Sequence, residues 1–281
     1  PGSIARPSWR VMNLGTLLAQ TARRLPDRPG IVWGDRQWSW GKIETRVAAL
    51  SAGLRGLGIG KGDRVLVHAR NSNAMLEVMF ATFRIGAVFV PTNFRLLPDE
   101  VIYLAEMSGA VLFICDDAFP DHARTIAEAV PGVQHHLSIG GDGPATVEGL
   151  IAANAGAAAP AEPVLYDDPC WFFFTSGTTG RSKASVLTHG QMAFIVTNHL
   201  ADLMPGTSEG DASLVVAPLS HGAGVHALSQ VARGAVSILP EGERFDVAET
   251  WRLVAEWRVS NAFTVPTILK MMVEHPSAAT A

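Results

Sequence analysis

The sequence predicts an α/β fold: layered, mostly parallel sheets flanked by helices. Two observations carry this expectation. Short β-rich apolar runs keep alternating with helix-spaced apolar patterns along the chain, and parallel strands joined by crossover helices solve that alternation most economically. The run Trp171, Phe172, Phe173, Phe174 is bulky and apolar at successive positions, the pattern of a buried strand and not a surface one. At 281 residues with 48% hydrophobic and 17% charged residues, the chain has material for a large core and two lobes.

Taken in order, Asn13 caps a helix over about 14–24 with Leu14, Leu17 and Leu18 on one face, and Pro26 stops it. VWGDRQWSW then reads as a hairpin around Gly34-Asp35. Ser39 caps a helix marked by Ile43, Val47, Leu50 and Leu54, which the glycines from Gly56 onward end. RVLVHA is a strand, Leu76, Met79, Phe80 and Phe83 mark a helix, and GAVFVP is a strand. Pro98 suits the first position of a helix reaching about Ser108. AVLFICDD is a strand, and Ile126, Ala129 and Val130 belong to a further helix. The Ala- and Pro-bearing stretch 154–163 reads as a linker, so lobes are expected at 1–165 and 166–281. Beyond it come the strand at 171–174, a second strand through Val186 and Leu187, and a helix over 191–204. LVVAPLSHGAG is then a strand ending at Pro218 and a small-residue turn, and AVSILP, a helix over 247–257, the strand SNAFTV and a helix from Pro266 complete the chain.

The stretch after Phe174 reads as a phosphate cradle. Thr175, Ser176, Thr178 and Thr179 place four hydroxyls around Gly177, and Gly177 and Gly180 let the backbone approach a ligand with its N–H groups turned inward. Lys183 adds a positive charge. Such groups suit an anion with several oxygens, a nucleotide triphosphate above all. The P-loop pattern is excluded, because Gly177 and Gly180 are separated by two residues and Lys183 is followed by Ala184. Gly56, Gly58, Gly60 and Gly62 follow a helix and precede a strand, the reverse of a dinucleotide fingerprint.

In the second informative stretch, a strand end, Pro218 and a small-residue turn deliver Ser220 and His221 to where α/β sheets collect their sites, so His221 is a functional candidate. His189 follows a strand and is expected to cap the next helix, and His122, His135 and His136 are expected in solvent. His221 and His226 lie on different helical faces without a third ligand in register, so no metal site is expected. Cys115 and Cys170 have neither metal-ligand spacing nor a disulfide framework and are expected as buried thiols in a reducing cytoplasm. A net charge of −4 with scattered basic residues gives no electrostatic reason for a nucleic-acid or anionic-membrane partner. No secretory signal is read, and no apolar run reaches the roughly 18 residues of a membrane span.

FTSGTTGRSKASVLTH resembles the YTSGTTGxPKGV–TH signature of the adenylate-forming enzymes, the acyl-CoA synthetases, luciferases and peptide-synthetase adenylation domains. PLSHGAG is similar to that family's P-L-F-H-x-x-G, and GDRV…N…FATFRIGAVFVPTNFRL and VPTIL also fit, so the resemblance covers essentially the whole chain. It implies the incomplete large N-terminal domain of such an enzyme, without the C-terminal domain, and therefore inactive by itself. It further implies that Thr175, Ser176, Gly177, Thr178, Thr179, Gly180 and Lys183 hold the ATP phosphates, and that His221 sits between the α-phosphate and the acyl pocket. The implied reaction joins a fatty or other carboxylic acid to AMP and then to the thiol of coenzyme A, with Mg²⁺ offsetting phosphate charge. A noncatalytic nucleotide-binding or scaffolding module and an AMP ligase without thiol transfer stay open, as does homo-oligomer formation. Ser182 stands where the family usually has Pro, and Ala184 where it has Gly.

Overall fold

The computed structural model describes residues 12–175, 182–242 and 245–279. The chain enters with α1 (Gly15–Arg24), whose N-terminus Asn13 caps by accepting the Gly15 N–H at 2.8 Å. The hairpin β1 (Pro29–Trp33) and β2 (Arg36–Ser39) turns at Gly34, which takes φ +61°, and leads straight into α2 (Trp40–Gly56). There follow β3 (Arg64–His68), α3 (Asn73–Arg84), β4 (Val88–Pro91), α4 (Pro98–Ser108), β5 (Leu112–Asp116) and α5 (Pro120–Ala129). Pro opens both α4 and α5, where its missing N–H costs nothing and its fixed φ suits the first turn. The chain continues through β6 (His135–Ile139), α6 (Val147–Ala153), β7 (Pro169–Thr175), β8 (Lys183–Thr188) and α7 (His189–Asn198). Its last elements are β9 (Ala212–Leu214), α8 (Gly222–Arg233), β10 (Val236–Leu239), α9 (Val247–Trp257), β11 (Asn261–Ala262) and α10 (Pro266–Glu274).

The chain forms two compact units, neither of them a continuous stretch. The first takes residues 1–16, 47–69 and 78–195, and the second 17–46, 70–77 and 196–281, whereas the linker at 154–163 had placed lobes at 1–165 and 166–281. The sheet of the first unit runs β6-β5-β3-β4-β7-β8, parallel except for the antiparallel edge pair β7/β8. Leu66, Val88, Val90 and Phe113 of this sheet bury against Val101, Leu104 and Ala105 of α4 and Ile126 of α5. The sheet of the second unit runs β11-β9-β10-β1-β2, parallel except for β1/β2. Its core joins Val32, Leu214 and Ile238 to Leu253 of α9 and Met272 of α10.

Three elements go beyond the sequence expectation: β6, α6 and α8. The first reads HHLSI, too polar for a buried run, yet it pairs in register with all five residues of β5. α6 is short and follows a Gly-rich stretch, and Thr146 caps it by accepting the Gly149 N–H. α8 opens Gly-Ala-Gly, and the low helix propensity of its two glycines disguises its start. The helix expected over 191–204 begins at His189 and finishes as a π-helical turn, His199–Leu203. The strand expected over 214–217 pairs at Ala212–Leu214. Cys115 and Cys170 are buried free thiols, and burial pushes Cys115 up to about 12 and Cys170 well above the ordinary thiol range. No helix of the described residues is long and apolar enough to cross a membrane.

Candidate functional site

In the first unit, β7 carries the apolar run to the edge of the parallel sheet. Trp171 is fully buried, with its ring 5.0 Å from that of Phe89 in edge-to-face contact. Phe172 and Phe174 are only half-buried, because β7 lies one strand from the edge, and they pack on the cluster built from α4, α5 and β5. Thr175 is the last residue of β7 and is exposed, and it faces Lys183, the exposed first residue of β8, across the antiparallel ladder. The ladder therefore brings the two ends of the proposed phosphate loop together. Ser176, Gly177, Thr178, Thr179 and Gly180 lie outside the described residues. Ser182, just before Lys183, offers its carbonyl to the Tyr103 hydroxyl of α4 at 3.2 Å.

His189 is no surface cap. It is the first residue of α7 and fully buried, its Nδ1 accepts the Leu14 N–H at 3.3 Å, and Phe83 meets its ring edge-on. Burial lowers its pKa to about 4, helped by Lys61 and opposed by Asp168, so it is neutral. His122 is likewise packed and not solvated: its ring stacks on that of buried His68 at 4.2 Å and its Nε2 bonds the Leu96 carbonyl at 2.8 Å. His68 places Nδ1 2.7 Å from the Thr92 hydroxyl, and burial, then His122, lowers its pKa to about 4.

In the second unit, His221 is the N-cap residue of α8. A tight turn puts it there, its own N–H donating to the Pro218 carbonyl at 3.0 Å. His221 Nδ1 lies 2.9 Å from the Ser220 carbonyl, an oxygen that can only accept, so the contact turns the ring by a hydrogen bond from Nδ1. Beside it the Ser220 hydroxyl is buried without a hydrogen-bond partner among the described residues. Gly222 lies close under Phe263: a Cβ there would come within 2.2 Å of the ring, which would have to move.

The residue that sequence reasoning passed over is Asn71. Its Oδ1 accepts the Leu219 N–H at 2.8 Å and its Nδ2 donates to the Ala217 carbonyl at 2.9 Å. A primary amide matched to a backbone in this way acts as a splint on the segment leading to His221. The resemblance through GDRV…N… passes over this stretch, where Asn71 and Asn73 both stand, but no local pattern says what either bonds. His226, five residues beyond His221, is a buried structural residue: its Nε2 lies 3.0 Å from Asn261 Oδ1 and 3.2 Å from the Ser213 hydroxyl. Among the described residues, no group of three or more His, Cys, Asp or Glu side chains is placed to hold a metal.

Comparison with known proteins places these features in a family. The chain is 35% identical over 269 residues to a feruloyl-CoA synthase from Amycolatopsis sp, covering 95% of this chain and 51% of that protein. It is 30% identical over 242 residues to a long-chain-fatty-acid–CoA ligase from Thermus thermophilus, covering 84% and 44%. The chain thus spans about half the length of the curated relatives it matches. Among solved structures it superposes on the N-terminal domain of FACL13 from Mycobacterium tuberculosis with a TM-score of 0.85 at 28% identity, covering 95% of this chain and 66% of that one. The profile of AMP-binding enzymes matches residues 18–281, and the chain belongs to the AMP-binding enzyme family.

Proposed function

We propose that the protein takes part in ATP-dependent activation of a carboxylic acid to an acyl-adenylate, followed by transfer of the acyl group to the thiol of coenzyme A. The observation that carries this reading is the β7/β8 ladder, which sets Lys183 opposite Thr175 at the two ends of a hydroxyl- and glycine-rich loop. A carboxylate is a poor acyl donor because its oxygen does not leave. Attack of that oxygen on the α-phosphorus of ATP breaks the bond to pyrophosphate and makes AMP the leaving group. The thiol sulfur then bonds the carbonyl carbon, AMP departs, and the thiol proton is lost to solvent.

In this reading Thr175, Ser176, Gly177, Thr178, Thr179, Gly180 and Lys183 hold the phosphates, the hydroxyls and backbone N–H groups as donors and Lys183 as the cation. Magnesium enters with the nucleotide as MgATP. His221, whose Nδ1 is turned to the Ser220 carbonyl, meets the substrate at the start of a helix whose N-terminus favours an anion.

The test is carboxylate-dependent pyrophosphate exchange, and then thioester formation with coenzyme A, by the intact protein on ferulate and a long-chain fatty acid. Lys183→Ala is expected to lower the exchange rate by about 2–4 kcal/mol of transition-state stabilisation. His221→Ala is expected to lower it without moving the melting temperature. Exchange that is undiminished in Lys183→Ala removes the loop from the site.

A further inference from the structure

We propose that Tyr103 is a positioning residue for Lys183: its hydroxyl holds the exit of the phosphate loop so that the lysine starts β8 in one fixed place. This inference rests on the phosphate-loop reading above. The two ends of the loop are restrained differently. On the entry side, Phe172 and Phe174 of β7 are held by apolar packing on the cluster that also contains Leu96, Ile102 and Tyr103. On the exit side, β8 is the edge strand of its sheet and Lys183 is exposed, so packing does little for it. The Tyr103 hydroxyl reaches the Ser182 carbonyl at 3.2 Å from 79 residues earlier in the chain. It fixes the peptide plane immediately before the lysine.

Residue 182 is Ser, and no ring fixes its φ as it would for proline. Beside the ladder that pairs Lys183 with Thr175, the Tyr103 hydroxyl supplies a second restraint on that end of the loop. α4 is itself well anchored to supply it. Its first turn is locked by the Leu97 N–H donating to Glu100 Oε2 at 2.8 Å. The loop before it is tied down at both ends, by His68 on the Thr92 hydroxyl at 2.7 Å and by His122 on the Leu96 carbonyl at 2.8 Å. One helix thus braces both arms of the loop, by apolar contact on one side and by a single hydroxyl on the other.

The experiment replaces only that hydroxyl. Tyr103→Phe keeps the ring in the cluster, and MgATP affinity is measured by titration calorimetry alongside the melting temperature. The dissociation constant is expected to rise about 2- to 10-fold, the range one ordinary hydrogen bond carries, with the Michaelis constant for the acid unchanged. In a Lys183→Ala background the same substitution is expected to change the affinity less than about 2-fold, since residues acting through one another are not additive. Adding Ser182→Pro to Tyr103→Phe is expected to recover part of the affinity, because the ring fixes φ of the residue whose carbonyl the hydroxyl held. Equal weakening by Tyr103→Phe with and without Lys183, or no weakening at all, overturns the proposal. Unchanged MgATP affinity in Lys183→Ala alone overturns the phosphate-loop reading itself, and this inference with it.

Discussion

Replacing Asn71 by Ala removes a splint that touches no substrate, and both its cost and its effect follow from the geometry. The substitution strands two backbone groups, the Leu219 N–H and the Ala217 carbonyl, on residues that are 1% and 2% exposed. A buried polar group left without its partner costs about 1–3 kcal/mol. Water entering the space of the lost amide relieves part of that, so the sum is about 2–4 kcal/mol. For a chain of this size each kcal/mol moves the melting temperature by about 2–4 °C, and a fall of about 4–16 °C is expected in a thermal melt. The segment so loosened ends at His221, two residues past Leu219. A misplacement of about 1 Å in a reacting geometry costs up to about 100-fold. Pyrophosphate exchange per folded molecule, measured well below the new melting temperature, should therefore fall by about 10- to 100-fold. A melting temperature within about 1 °C of the parent, together with normal exchange, would show that these hydrogen bonds hold nothing in place.

Two further outcomes follow from buried charge and buried imidazole. Glu77 is fully buried and takes both guanidinium nitrogens of Arg46, at 2.6 and 2.9 Å, so Glu77→Gln should destabilise the fold by about 3 kcal/mol. The double variant Arg46→Met, Glu77→Met should be the more stable of the two in urea, and a single variant as stable as the parent refutes the account. His68 and His189 stay neutral in the fold down to about pH 4, while in the unfolded chain each takes up a proton near 6.5. The unfolded state therefore binds more protons between those values, and stability must fall as pH drops from 6.5 toward 4, by on the order of 2 kcal/mol per residue at pH 5. Melting curves at pH 7.5, 6 and 5 check this, His189→Gln should flatten the slope, and a melting temperature constant over that range contradicts it.

Segments that carry their own period were readable in the sequence. α9 lies at Val247–Trp257 as its apolar spacing indicates, and Pro98 opens α4, because helix spacing and proline geometry act within a few residues. The strand β7 was readable for the same reason. What stayed hidden depends on distant partners. The polar HHLSI becomes β6 only because β5 offers it a ladder, and Gly-Ala-Gly starts α8 only where Phe263 lies over Gly222. The strand pairing was also out of reach, since nothing local tells β1 that its parallel neighbour is β10. At the candidate site the chemistry-bearing residues announced themselves by type, whereas Asn71 and Tyr103 bond backbone atoms 146 and 79 residues away, a role that any asparagine or tyrosine could equally fail to have.

The pairing of β1 with β10 also sets a schedule for synthesis. Ile31 stands beside Ser237 in the finished sheet, so the hairpin leaves the ribosome about 200 residues before its partner. At about 5–20 residues per second, it waits roughly 10–40 s with one long edge open. Through that interval the apolar face of Ile31 and Val32 has no native cover from β9 or β10, and an open strand edge is a template for any other chain. The sheet of the second unit therefore cannot close before β10 is made, and slowing the ribosome between the codons for Ser39 and Val236 should lower the soluble yield more than slowing it after the codon for Ala262.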